Sequence, residues 1–121
     1  MSNESRKTLI KNGTLADGRV CDVLIEDGVI HSVAPKLTDS EALVFDATSM
    51  IVMSGLVDLH THLREPGKED SETVLSGSRA GVKGGYVALS AMANTSPVAD
   101  TAGVVEQVYR LGKSAGLLDV F

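Results

Sequence analysis

Cysteine is nearly absent from this sequence, with one thiol, Cys21, among 121 residues. That excludes an internal disulfide, and with no activating partner nearby Cys21 reads as a small residue of a strand-like run. Long apolar runs are missing too. The longest, around residues 50–57 and 86–93, fall far short of the roughly 20 residues a membrane-spanning helix needs. Residues 1–7 are polar, and no apolar segment follows their charges as it would in a secretory leader, so a cytoplasmic protein without a membrane partner is expected. An excess of basic charge is also lacking: 11 Lys and Arg are scattered among 16 Asp and Glu, for a net charge of -5. No basic stripe is available to neutralise phosphates, so nucleic acid is not an expected partner.

With 43% apolar residues, the chain reads as a soluble globular protein of α/β class. Residues 1–7 are expected to form a flexible tail. Residues 8–54 read as short strands joined by tight turns, beginning with residues 8–11 and a turn at Asn12-Gly13. The clearest unit is a hairpin of residues 22–26 and 29–33 around Asp27-Gly28, a pair that tolerates the positive φ of a type I′ turn. A further strand is expected at 43–46, which completes a small antiparallel β-module.

The pattern changes beyond residue 50. A continuous apolar strand is predicted at 51–59, then a helix at about 71–83, capped by Asp70 and stopped by Gly84-Gly85. A second strand follows at 86–92. A helix at about 101–115, capped by Asp100 and ended by Gly116, presents Val104, Val105, Val108 and Leu111 on one face. A third strand begins at Leu117. Such alternation, with strands apolar on both faces, predicts a parallel sheet covered by helices, and both barrels and open sheets fit it. Residues 55–121 supply only about a quarter of the roughly 250 residues of a closed eight-stranded barrel, so the chain is expected to be a fragment or truncated product.

The residues that carry chemistry lie in the run Asp58-Leu59-His60-Thr61-His62-Leu63-Arg64. In an extended chain His60 and His62 project from the same face. Imidazole is a good zinc ligand, but a catalytic zinc needs about three protein ligands and an open position, so these two make half a site. Asp58 and Arg64 share their parity if the strand stays extended. Asp58 then suits orienting a ligand, and Arg64 suits clamping a carboxylate. Two of the chain's three histidines fall here, where a parallel strand hands over to its loop. His31, in the hairpin, reads as a structural or surface residue.

The run Gly55-Leu56-Val57-Asp58-Leu59-His60-Thr61-His62-Leu63-Arg64-Glu65-Pro66-Gly67 resembles the metal-binding signature of the dihydroorotases, cyclic amidohydrolases of the amidohydrolase superfamily. Lys83-Gly84-Gly85-Tyr86 and Ala91-Met92-Ala93-Asn94-Thr95-Ser96-Pro97 resemble the second strand and loop of the bacterial members. Asp22-Val23-Leu24-Ile25-Glu26-Asp27-Gly28 is similar to their N-terminal β-module. The resemblance implies a TIM-like (β/α)8 hydrolase barrel that is incomplete in this chain, with His60 and His62 as zinc ligands. It also implies Arg64 and Asn94 as binders of the carboxylates of dihydroorotate or N-carbamoyl-aspartate, interconverted in pyrimidine biosynthesis. Glu65 is expected to be a solvated loop carboxylate. Ser54 and Ala93 depart from the family, which usually has proline before Gly55 and often before Asn94; neither position supplies a ligand.

In the family, the remaining ligands and the aspartate that acts as general acid and base come from later strands. This chain therefore offers no catalytic acid or base of its own, and alone it is expected to be inactive and poorly folded. Three other readings remain open. One is an allantoinase or hydantoinase; another is a non-catalytic scaffold for aspartate carbamoyltransferase; the third is a small stand-alone zinc module. Self-association into a homo-oligomer is compatible with all of them.

Overall fold

The structure is a computed structural model that describes residues 6–121. It comprises two compact units, the first ending at Ser54 and the second beginning at Gly55. Most of the expected tail, residues 1–5, lies outside the described residues; Lys7, expected within it, already belongs to the first strand.

In the first unit, β1 (Lys7–Leu15), β2 (Val20–Glu26), β3 (Val29–Ala34), β4 (Leu43–Asp46) and β5 (Ile51–Val52) form one sheet. The hairpin is present as expected. Glu26 pairs with Val29, and the intervening Asp27 and Gly28 take φ of 50° and 81°. The Asn12-Gly13 turn is not present. β1 runs straight through it, with Asn12 at φ 62° and a shift of register between Ile10 and Gly13, so the pair forms a bulge in a long strand. The sheet is also mixed rather than antiparallel, because β1 pairs in parallel with both β4 and β5.

The strand expected at 51–59 is divided between the two units. Residues 51–52 pair with β1, whereas β6 (Leu56–Thr61) opens the second unit and pairs with β7 (Tyr86–Ala91). An unbroken apolar run does not reveal that the chain leaves one sheet for another. The second sheet is parallel in the order β6-β7-β8, with β8 at Asp119–Val120, two residues later than expected.

Between these strands run α1 (Val74–Lys83) and α2 (Ala102–Ala115). Both start later than predicted. Thr73, not Asp70, caps α1: its Oγ1 accepts the Ser76 N–H at 3.0 Å, and Ser76 reciprocates as a capping box. At α2 the cap position is Thr101 rather than Asp100, and its side chain makes no capping bond. The C-terminal end follows expectation, with Gly116 in the left-handed region at φ 62°.

The helices pack on each other, α1 also on β7 and α2 on β8, around a core of Leu63, Val74, Leu89, Val108 and Val120. Leu111 packs against this core and Val104 is half-buried, but Val105 is 53% exposed and drops out of the expected face. Nor is β6 buried on both faces. Val57 and Leu59 are 55% and 74% exposed, so among the described residues little covers that face of β6.

Ser78 is fully buried on α1, and among the described residues its hydroxyl has no hydrogen-bond partner. An unsatisfied buried hydroxyl costs about 1–3 kcal/mol. Ser78→Ala is therefore expected to stabilise the second unit by about 1 kcal/mol in urea unfolding. A destabilised variant would show that the hydroxyl is satisfied.

Candidate metal and substrate site

His60 is the fifth residue of β6, and His62 directly follows the strand. Their rings lie 5.2 Å apart between centroids, at 66° to one another. Both residues are exposed. Two imidazoles sharing one tetrahedral zinc, each nitrogen about 2.1 Å from it, have ring centres roughly 5 Å apart, so the observed spacing fits a common ion. Among the described residues no third His, Cys, Asp or Glu joins them in a cluster. The donor set fits zinc in kind and supplies half of what a catalytic ion requires.

The carboxylate of Asp58 accepts the backbone N–H of His60 at 2.9 Å. It therefore fixes the strand's backbone, whereas parity predicted that it would orient a ring. The extended conformation ends at Thr61, and Arg64 takes φ 64°, so the parity argument does not reach it. Arg64 is half-buried, and among the described residues its guanidinium makes no hydrogen bond or ion pair. It is not joined to the histidines.

Asn94 is joined to them. It lies three residues beyond β7, and its Oδ1 is 3.0 Å from Nδ1 of His62. Parallel pairing of β6 and β7 brings their C-terminal ends side by side, so the two loops meet. Met92 N–H donates to Thr61 O at 2.9 Å, and Ser96 N–H donates to Pro66 O at 2.9 Å. Gly67 lies directly against the Ser96 carbonyl.

Two residues that sequence reasoning undervalued hold this arrangement. Glu65 is not a free loop carboxylate; its Oε2 accepts the N–H of Val74 at 2.8 Å, at the positive end of α1. Its signal was a carboxylate nine residues ahead of a helix, too distant for a local capping rule. Gly67 was legible only as the glycine of Glu-Pro-Gly. Beyond it, Glu69 accepts the Gly67 N–H at 2.7 Å, and that bond holds its carboxyl below the usual range.

In the first unit, Cys21 is a buried free thiol and His31 is exposed. A cleft of about 660 Å³ beside β1 is lined in part by Lys7, Asp39 and Glu41. Lys7 is already engaged there, 3.3 Å from Asp39 and 3.2 Å from Glu41. No helix among the described residues is long and apolar enough to cross a membrane.

A β-sheet unit followed by a parallel βαβαβ unit with two histidines at its first strand end is an amidohydrolase arrangement, and solved structures of that class match it. The L-hydantoinase (dihydropyrimidinase) of Arthrobacter aurescens aligns with a TM-score of 0.77 and 25% identity, over 87% of this chain and 24% of that one. The dihydropyrimidinase of Brevibacillus agri gives 0.73 and 28% over the same shares.

Sequence narrows the class. The Dihydro-orotase-like family model matches residues 49–116, more than half of the chain and the whole of the site. Dihydroorotases of Streptomyces coelicolor and Leifsonia xyli are 56% and 53% identical over 94% and 99% of this chain. The chain belongs to the dihydroorotase-like family, a family of hydrolases. It spans 27% of the length of each of these two relatives.

Proposed function

We propose that this chain contributes the first metal ligands and part of the substrate pocket of a zinc-dependent dihydroorotase. Such an enzyme reversibly hydrolyses the cyclic amide of dihydroorotate to N-carbamoyl-aspartate in pyrimidine biosynthesis. The observation that carries the reading is the meeting of His60, His62 and Asn94 at the C-terminal ends of adjacent parallel strands, in a chain of this family. That end of a βα sheet is where such folds gather their chemistry.

His60 and His62 would hold the ion. Bound zinc supplies an activated water near neutral pH and polarises the amide carbonyl. Arg64 and Asn94 take the carboxylates of the substrate. A guanidinium fork suits a planar anion, and Arg64, without an internal partner among the described residues, is free to receive one. The proton donor and remaining ligands belong to parts of the enzyme beyond this chain, so the isolated 121 residues are expected to be inactive.

Residues 55–121 are read as the opening of a (β/α)8 barrel. Sequential parallel strands, with α1 and α2 packed against each other, are the arrangement of consecutive βα units in such a barrel. Residues 8–54 are read as its β-module, in a cytoplasmic protein. Association with aspartate carbamoyltransferase and assembly into a homo-oligomer are compatible with this reading.

The hydantoinase reading is favoured by the two structural likenesses above, but sequence identity to the dihydroorotases is about twice as high. A substrate comparison separates the two. The chain extended to the length of its relatives and loaded with zinc is expected to prefer dihydroorotate over hydantoin and allantoin by at least about a hundredfold in kcat/KM, since a site built for a carboxylate rejects substrates lacking one. Preference for hydantoin or allantoin would overturn the assignment. Metal-dependent turnover by the isolated chain would overturn its expected inactivity.

A further inference from the structure

We propose that Asn94 is a positioning residue for His62, one that fixes which ring nitrogen carries the proton and leaves the other for metal. The inference rests on reading His60 and His62 as metal ligands and adds to Asn94 a task besides holding substrate.

A neutral imidazole has one N–H donor and one bare nitrogen, and an amide oxygen can only accept. With Asn94 Oδ1 3.0 Å from His62 Nδ1, the proton belongs on Nδ1, and Nε2 presents its lone pair. Free imidazole side chains favour the opposite tautomer, so the contact selects the form that ligates through Nε2. Metal-binding histidines generally owe their tautomer and ring orientation to such a partner. His60 differs: among the described residues its ring has no hydrogen-bond partner, and Asp58 is occupied with its backbone.

Asn94 is well placed to impose this choice. Its neighbour Thr95 is buried and donates to Pro97 O at 2.7 Å, while Ser96 is tied to Pro66 across the loops. Among the described residues the amide nitrogen of Asn94 has no partner, so its two N–H groups remain for a substrate carboxylate. One side chain thus links a metal ligand on its oxygen side to an anion on its nitrogen side.

The test is nitrogen-15 NMR of the His60 and His62 imidazoles in the metal-free protein, the chain extended to the length of its relatives. Spectra are recorded at mildly alkaline pH. His62 is expected to show a protonated Nδ1 and a bare Nε2. Asn94→Ala is expected to move His62 toward the Nε2-protonated tautomer and to weaken zinc binding about tenfold against a chromophoric chelator. Asn94→Asp retains an acceptor and is expected to restore the tautomer.

A protonated Nε2 in the native chain would overturn the proposal, as would an Asn94→Ala spectrum with an unchanged His62. Should Asn94→Ala lose its fold, the native spectrum and Asn94→Asp still decide the question. Expected tautomers together with zinc that perturbs neither His60 nor His62 would overturn the metal-ligand reading instead, leaving the Asn94–His62 contact intact.

Discussion

Replacing Gly67 by alanine is expected to destabilise the second unit by about 2–4 kcal/mol and to separate Asn94 from His62. A Cβ at Gly67 would lie 2.0 Å from the backbone oxygen of Ser96 and 2.7 Å from its Cβ. Neither atom is the far end of a flexible side chain. Ser96 cannot retreat without breaking its N–H bond to Pro66 O, and Asn94 lies two residues before it on the same loop. Gly67 also has φ 96°, where an L side chain is strained whatever the space.

Gly85 separates these two costs. Its φ is 85°, yet a Cβ there meets nothing within 4 Å, so Gly85→Ala should lose only about 1 kcal/mol of conformational preference. Urea unfolding of both variants measures the difference, and the His62 tautomer in Gly67→Ala reports whether the loops have parted. Equal losses for the two variants would show that Gly67 serves only its backbone angle and does not hold the loops together.

That contact explains why the site was only partly legible in the sequence. His60 and His62 could be placed together because a strand end is a local feature with a period of two. Their link to Asn94 spans 32 residues and depends on the pairing of β6 with β7, which no local period encodes. The shared face expected for Arg64 did not hold for the opposite reason: the strand was extrapolated past Thr61 into a loop where φ turns positive.

The same division runs through the fold. The Asp27-Gly28 hairpin and the stop at Gly116 were readable because two or three residues determine each of them. The parallel pairing of β4 and β5 with β1, and the passage from one sheet to the next at residues 53–55, depend on partners distant in sequence. Helix starts fell between, since Asp70, Thr73, Asp100 and Thr101 all have side chains that can cap and only packing chooses among them.

In the first unit the largest effect is expected at Asp22. Its side chain is 3% exposed, and it closes the irregular part of the sheet from within: Oδ1 accepts the N–H of Asn12 at 2.8 Å, and Oδ2 accepts that of Leu37 at 2.9 Å. Lys11 Nζ lies 3.8 Å from Oδ2. Asn12 is the bulge residue, so its N–H has no ladder partner to return to. Asp22→Ala would leave both amides without their acceptor, at about 1–3 kcal/mol each, or roughly 2–6 kcal/mol in all. Asp22→Asn would recover only part of this, because its NH₂ group must face one of the two N–H donors.

The effect should depend on pH, with a defined sign. The N–H bonds from Leu37 and Asn12, aided by the charge of Lys11, hold the Asp22 carboxyl below its usual range. A carboxyl depressed in the folded state contributes stability that is fully present above its unfolded pKa of about 3.9 and is lost as pH falls through the lower folded value. The stability gap between the native chain and Asp22→Asn should therefore be widest at neutral pH and should narrow as pH falls below about 4. Amide exchange at Asn12 and Leu37, followed across that range, measures the gap where the carboxylate acts. A gap of the same size at pH 3 and pH 7 would mean that Asp22 acts through its shape rather than its charge.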